Sequence, residues 1–317
     1  ASMGAFAVGK DVIQAEAGVA LRNATHAGYN NSTFRAGAGF LSLRWGLLME
    51  TLELTYQGQY ISGTLNSKIL SNPTPYPKRG FLQNFIGIKY LIYDPFKKER
   101  EVNTYSWKAN NGFKLRELIP AVSITLGSNV NFEKSNPFPY GNLFGTLYRP
   151  VLFQNLGISP DEEPFLHLRG TLATQSHFLG TWVFVTNFSY DRYLSKYPLK
   201  DYILTLTHTL DPLWSVYIEH QGRVSDLFTE YLFRLGAAYL WNDDFQIEAT
   251  LGSSIKNTPH QLFLNAGVSY RLDFHKDFTS AEELQEKELK KQERLLKKTL
   301  KKNTKGEKTR NRRAKRN

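Results

Sequence analysis

Residues 261–274, QLFLNAGVSYRLDF, constrain this chain more than any other stretch. Read with a period of two, Leu262, Leu264, Ala266, Val268, Tyr270 and Leu272 fall on one side. Phe263, Asn265, Gly267, Ser269 and Arg271 fall on the other. Successive side chains of a strand point to opposite faces. A strand buried on both faces has little use for Asn, Ser and Arg in register, whereas a strand between lipid and a wet lumen has. The pattern recurs along the chain and predicts an all-β fold: a closed antiparallel transmembrane β-barrel of about 12 strands.

The alternation places strands near 12–22, 34–46, 51–62, 81–93, 119–131, 165–174, 181–190, 201–208, 213–221, 230–240, 244–252 and 261–274. In the second of these the parity slips near Phe40, which predicts a bulge there. Residues 63–79, with Asn72-Pro73-Thr74-Pro75-Tyr76-Pro77, read as a loop. The connections 46–50, 175–180, 209–212 and 241–243 are short. Those at 23–33, 63–79, 132–164, 191–200, 222–229 and 253–260 are longer, and the two kinds alternate as periplasmic turns and extracellular loops do. One segment, 94–117, is long on the short-turn side. Trp45, Trp182, Trp214 and Trp241 all stand beside short turns, and Tyr60, Tyr190, Tyr202 and Tyr231 at the opposite strand ends, which predicts two interfacial belts. The rival fold, a soluble β-sandwich or lipocalin-like barrel, gives no reason to sort aromatics by turn length.

Composition enters as a set of exclusions. With no cysteine among 317 residues, disulfides, thiolate metal sites and a lipoprotein anchor are out. No apolar run reaches the roughly 18 residues of a membrane-spanning helix. The chain opens on Ala1-Ser2-Met3-Gly4 without a charged-then-apolar leader, so an exported form is expected to have had its signal peptide removed. Charge is unevenly placed: residues 280–317 hold 15 Lys and Arg against 6 Asp and Glu, leaving 25 against 23 for the rest. Ser280 and Glu283 form a capping box ahead of a helix-forming stretch. The expected organisation is a barrel over 1–278, a periplasmic charged helix over 279–302 and a basic tail over 303–317.

The inward positions carry Glu16, Glu53, Glu219 and Glu248 beside Arg44, Lys89, Arg169, Arg234 and Arg271. These are the lumen-lining candidates, either as cross-strand ion pairs filling the barrel or as a solute path whose charges set selectivity. His167 and Arg169 are placed to meet Glu219 across the lumen, while His26 and His260 read as loop residues. No histidine stands in the His-x-Ser-Asn-Gly pattern of the twelve-stranded outer-membrane phospholipases, so no catalytic residue is assigned. No metal-ligand spacing and no cofactor motif is present.

Several segments resemble the outer-membrane family named for the MetA pathway of phenol degradation, in its transporter-like members from Bacteroidota. They are GKDVIQAEAG at 9–18, LRWGL at 43–47 followed by LEL at 52–54, GIKY at 87–90, YIEH at 217–220, FQIE at 245–248 and GVSYR at 267–271. The resemblance implies a twelve-stranded barrel with a transport role. A closing strand ending in an aromatic, here Phe274, is likewise similar to the assembly signal of outer-membrane barrels. The 94–117 segment and the tail depart from the family pattern. They suggest an accessory role in an outer-membrane complex, with Tyr105, Trp107, Lys108, Lys290, Lys291 and Arg294 as docking candidates. The expected partners are outer-membrane lipid and, through the basic tail, a periplasmic or outer-membrane protein or the cell wall. With both termini periplasmic, nucleic acid is not an expected partner.

Overall fold

The computed structural model describes residues 2–26, 32–66, 75–97, 115–132, 137–138, 143, 165–193, 195, 197–256 and 259–274. The expected helix and tail, and the docking candidates Tyr105, Trp107, Lys108, Lys290, Lys291 and Arg294, lie outside these residues.

Twelve strands run up and down: β1 (Val12–His26), β2 (Ser32–Gly46), β3 (Leu52–Asn66), β4 (Tyr76–Tyr93), β5 (Ala121–Val130) and β6 (Leu166–Phe178). They continue as β7 (Trp182–Asp191), β8 (Leu199–Thr209), β9 (Trp214–Val224), β10 (Thr229–Asn242), β11 (Phe245–Ser254) and β12 (His260–Asp273). Every strand pairs antiparallel with its sequence neighbours, and β12 closes on β1 over Val12↔Asp273 to Thr25↔His260. Closure leaves no edge strand, which a chain crossing lipid requires, since unpaired backbone groups find no water there.

The wall is inverted relative to a water-soluble protein. Val19, Leu21, Ile88, Leu126, Leu168, Phe188, Leu235, Leu251 and Leu264 are exposed on the outside, while Glu53, Lys89, Thr125, Asn187, Glu219 and Gln221 are buried inside. Trp45, Trp182, Trp214 and Trp241 stand on the outer wall at the short-turn rim, with Trp214 packed on Tyr239 at 4.8 Å and Trp182 stacked on His208 at 4.2 Å. At the other rim His220 stacks on Tyr231 and meets Tyr202 at a tilt. An apolar band between two aromatic girdles is a lipid-facing surface.

The strands run further toward the long-loop rim than the alternation predicts. His26 ends β1 and His260 opens β12, so neither is a loop residue. The stretch read as a loop at 63–79 is strand at both ends, β3 reaching Asn66 and β4 beginning at Tyr76. Pro77 is tolerated because β4 pairs with β5 only over Phe85–Tyr93; its outer part has a single partner, β3. The bulge expected near Phe40 is absent, and β2 runs in continuous register with both neighbours. What changes there is polarity. Arg44 and Ser42 face inward near the short-turn rim, and Phe40, Ala38, Ala36 and Phe34 face inward beyond them. A switch from polar to apolar on the inner face mimics a parity slip. The register shifts lie instead at Gln59/Tyr60, Leu91/Tyr93 and Leu240/Asn242.

That apolar inner face has a partner. Phe138 and Leu143, from the long β5–β6 connection, are 1% and 2% exposed and pack into a cluster with Ala20, Ala24, Phe34, Ile61 and Leu65. Phe34 and Phe138 meet edge-on at 5.9 Å. The long-loop half of the barrel along β1–β4 is therefore filled by apolar side chains among the described residues.

At the opposite rim the chain enters β1 from inside the barrel. Gly9 (φ 94°) and Asp11 (φ 58°) turn it, with Asp11 N donating to Gly46 O at 3.2 Å and Phe274 N donating to Asp11 O at 3.1 Å. The approach leaves no room for a side chain on Gly46: a Cβ there would lie 1.6 Å from the Gly9 carbonyl oxygen. Gly46→Ala should therefore unseat the turn and cost about 1–3 kcal/mol. The check is a lower urea midpoint in detergent together with faster hydrogen exchange at residues 2–8; an unchanged midpoint would show that the junction yields freely.

Candidate functional site

Residues 2–8 have no strand pattern, and the barrel uses them as a lumenal segment. Their backbone groups are satisfied one after another by inward side chains from around the wall. Val8 N donates to Glu53 Oε2 (2.9 Å), Ala5 N to Gln175 Oε1 (3.0 Å), Met3 N to Asn187 Oδ1 (2.7 Å) and Ser2 N to Glu219 Oε2 (2.9 Å). The carbonyls are met too: Asn187 Nδ2 donates to Met3 O at 2.7 Å, and Lys89 Nζ and Arg44 Nη2 donate to Phe6 O at 2.7 and 2.8 Å. Phe6 packs against Phe96 and His177, and Ala5 against Leu91 and Ala121. Nothing in the strand alternation announces this. A segment held by side-chain hydrogen bonds needs no periodicity of its own.

Its base rests on a buried ionic triad. Glu53 accepts two bonds from Arg44, Nε at 3.0 Å and Nη2 at 2.9 Å, and lies 3.3 Å from Lys89 Nζ. Glu53 and Lys89 are 0% exposed. Strand register brings them together, Glu53 opposite Lys89 and Arg44 opposite the neighbouring Thr55. Two cations meet one carboxylate, and the Phe6 carbonyl takes up the donors left over.

Beyond the tip of the segment lies a chamber of about 280 Å3. Ser2, Met3 and Gly4 line it together with Glu16, Arg22, Arg44, Arg169, Asp201, Tyr217, Glu219, Arg223, Arg234, Glu248 and Phe263. One register row crosses it: Thr205, Glu219, Arg234, Gly252, Phe263 and Arg22 occupy paired positions on β8, β9, β10, β11, β12 and β1. Along that row Glu219 accepts from Thr205 Oγ1 at 3.0 Å and ion-pairs with Arg234, which also donates to Gln221. Toward the long-loop rim Arg223 bonds Asp201 (3.0 Å) and Glu230 (3.4 Å).

The lumen-lining candidates divide by level. Glu16, Arg44, Arg169, Glu219, Arg234 and Glu248 line the chamber. Glu53 and Lys89 lie below it under the Phe6 carbonyl. Arg271 stands at the short-turn rim, 51% exposed and 3.4 Å from Asp273, outside the chamber. His167 does not reach Glu219. It is buried against Arg192, ring nitrogen to guanidinium at 3.3 Å, because Leu166–His167 lie at the long-loop end of β6 while Glu219 lies deeper in the barrel. The sequence reading passed over Arg22 and Arg223. Arg22 closes the first predicted strand at inward parity, whereas Arg223 lies two residues past the predicted end of the ninth, in a stretch read as loop that the structure shows as strand to Val224.

No curated protein matches the sequence. Among solved structures the barrel is similar to an outer membrane channel from Pseudomonas putida F1, at 13% identity and a TM-score of 0.50, covering 86% of this chain and all of that one. It also matches the translocator domain of the autotransporter NalP from Neisseria meningitidis, at 9% identity and a TM-score of 0.48, over 82% of this chain and 88% of that one. The first likeness shows the fold, that of an outer-membrane β-barrel. In sequence, residues 167–272, which run from β6 to β12, match the model of the family described as "Putative MetA-pathway of phenol degradation".

Proposed function

We propose that this barrel passes a small polar solute across the outer membrane, through a charged lumen held closed in the present state. One observation carries the reading. The chamber is bounded below by the 2–8 segment, which crosses the lumen from Glu53 to Glu219 and does not belong to the barrel wall. A filled structural barrel closes with wall side chains, whereas here the obstruction is the 2–8 segment, which can leave without breaking a strand pair. The similar barrel from Pseudomonas putida F1 is an outer membrane channel, which fits the same role. Both termini of the barrel lie on the short-turn side, the periplasmic side by the usual placement of turns and loops.

The charges on the path supply the test. In planar-bilayer recordings under a salt gradient, Glu248→Lys in the open barrel should move the reversal potential toward anion preference, and Arg234→Glu should move it the other way. If no condition passes current, the solute path is wrong and the lumen is a filled core.

A further inference from the structure

Five arginines gather toward the long-loop side of the lumen, and two differ from the rest. Arg223 and Arg234 are committed to carboxylates, Asp201 with Glu230 and Glu219 respectively. Arg192 holds the ring of His167. Among the described residues Arg22 and Arg169 have no hydrogen-bond or ion-pair partner, and the Nε of each is buried without an acceptor. Each guanidinium is carried over an aromatic ring, Arg22 over Phe263 at 5.5 Å, a ring it shares with Arg234, and Arg169 over Phe85 at 5.3 Å. Phe263 lies close on the backbone of Gly252, where any Cβ would collide with the ring. Both arginines line the chamber, and β1 and β6 place them on nearly opposite walls.

A guanidinium supported by its face keeps its in-plane donors for an acceptor, and those donors match a carboxylate or phosphate in geometry. Leaving buried donors unmet is costly, so unpaired arginines facing a chamber call for a ligand. The fixed acids do not fill this role. Asp191 is the register partner of Arg169, yet the two form no ion pair. Glu16 lies nearer the short-turn rim than Arg22 on the same strand, and Glu248 nearer than Gly252. The acids beyond them, Asp201 and Glu230, are held by Arg223.

We propose that Arg22 and Arg169 form a binding site for the oxyanion group, carboxylate or phosphate, of a small solute held in the chamber. The site rests on the solute-passage reading and names its substrate class.

Equilibrium dialysis of the full chain in detergent at low salt, with labelled succinate and labelled inorganic phosphate in separate arms, tests it. Saturable binding of one anion per barrel in either arm is expected, and the arm that binds tells carboxylate from phosphate. Arg22→Gln and Arg169→Gln should each weaken it about tenfold, while Arg271→Gln, at the exposed rim, should leave it unchanged. Heat-modifiable gel mobility reports folding of each variant, and Arg22→Lys, which keeps the charge without the fork, serves if a Gln variant misfolds. It should bind more weakly than the parent. Absence of saturable binding in both arms, or parental binding by both Gln variants, overturns the site. Current through the opened barrel without binding sinks the anion site alone; binding without current under any condition sinks solute passage alone.

Discussion

Deleting residues 2–8 should turn a closed barrel into a conducting one, raising single-channel current about tenfold or more over the parent. The segment crosses the lumen from Glu53 to Glu219, and every bond that holds it ends on a side chain of the wall. The twelve strands are paired without it, so folding should survive, and the heat-modifiable gel shift should persist. Groups it now covers, Gln175, Asn187 and Glu219 among them, would exchange its bonds for water at little net cost. Planar-bilayer recording reads the result directly. Equal current from parent and truncated barrel would mean that the segment does not obstruct the path.

The second large effect is on stability. Glu53→Gln keeps the shape of the side chain and removes the one carboxylate between Arg44 and Lys89. Breaking a buried ion pair from one side costs about 3–5 kcal/mol, because the remaining charge is left uncompensated, and here two cations would remain against each other. A urea midpoint measured in detergent should fall accordingly. Lys89→Met in the same background should recover part of the loss, because Arg44, 18% exposed, can turn to water where Lys89, at 0%, cannot. A double variant no better than Glu53→Gln alone would show that repulsion between the two cations is not the source of the loss.

How much of this was legible beforehand follows from one rule. Where lipid lies on one side and polar groups on the other, alternation records both, so the 12 strands, their short and long connections and the tryptophan rim could be read from residues such as Leu262 to Leu272 and Trp45, Trp214 and Trp241. The strands with polar inner faces also gave up their inward charges, Glu16, Arg44, Glu219 and Arg234. Where the inner face turns apolar, as at Ala20, Ala24, Phe34, Ala36 and Ile61, the alternation vanishes, and strand ends were read as loop or as a bulge. The apolar cluster exists only because Phe138 and Leu143 arrive from a distant connection.

The lumenal segment lies beyond any periodic reading. Its bonds to Gln175, Asn187 and Glu219 span separations of 170 to 217 residues. A sequence states which residue types face inward on each strand. It does not state how far each strand has climbed when it meets its neighbour, and that stagger decides which inward residues share a level. Alternation along the strands therefore specified a closed antiparallel barrel with polar side chains turned inward. Only the closed barrel decided that Glu53 meets Lys89 and Arg44, that His167 meets Arg192 and not Glu219, and that Arg22 and Arg169 face the chamber with their donors unmet.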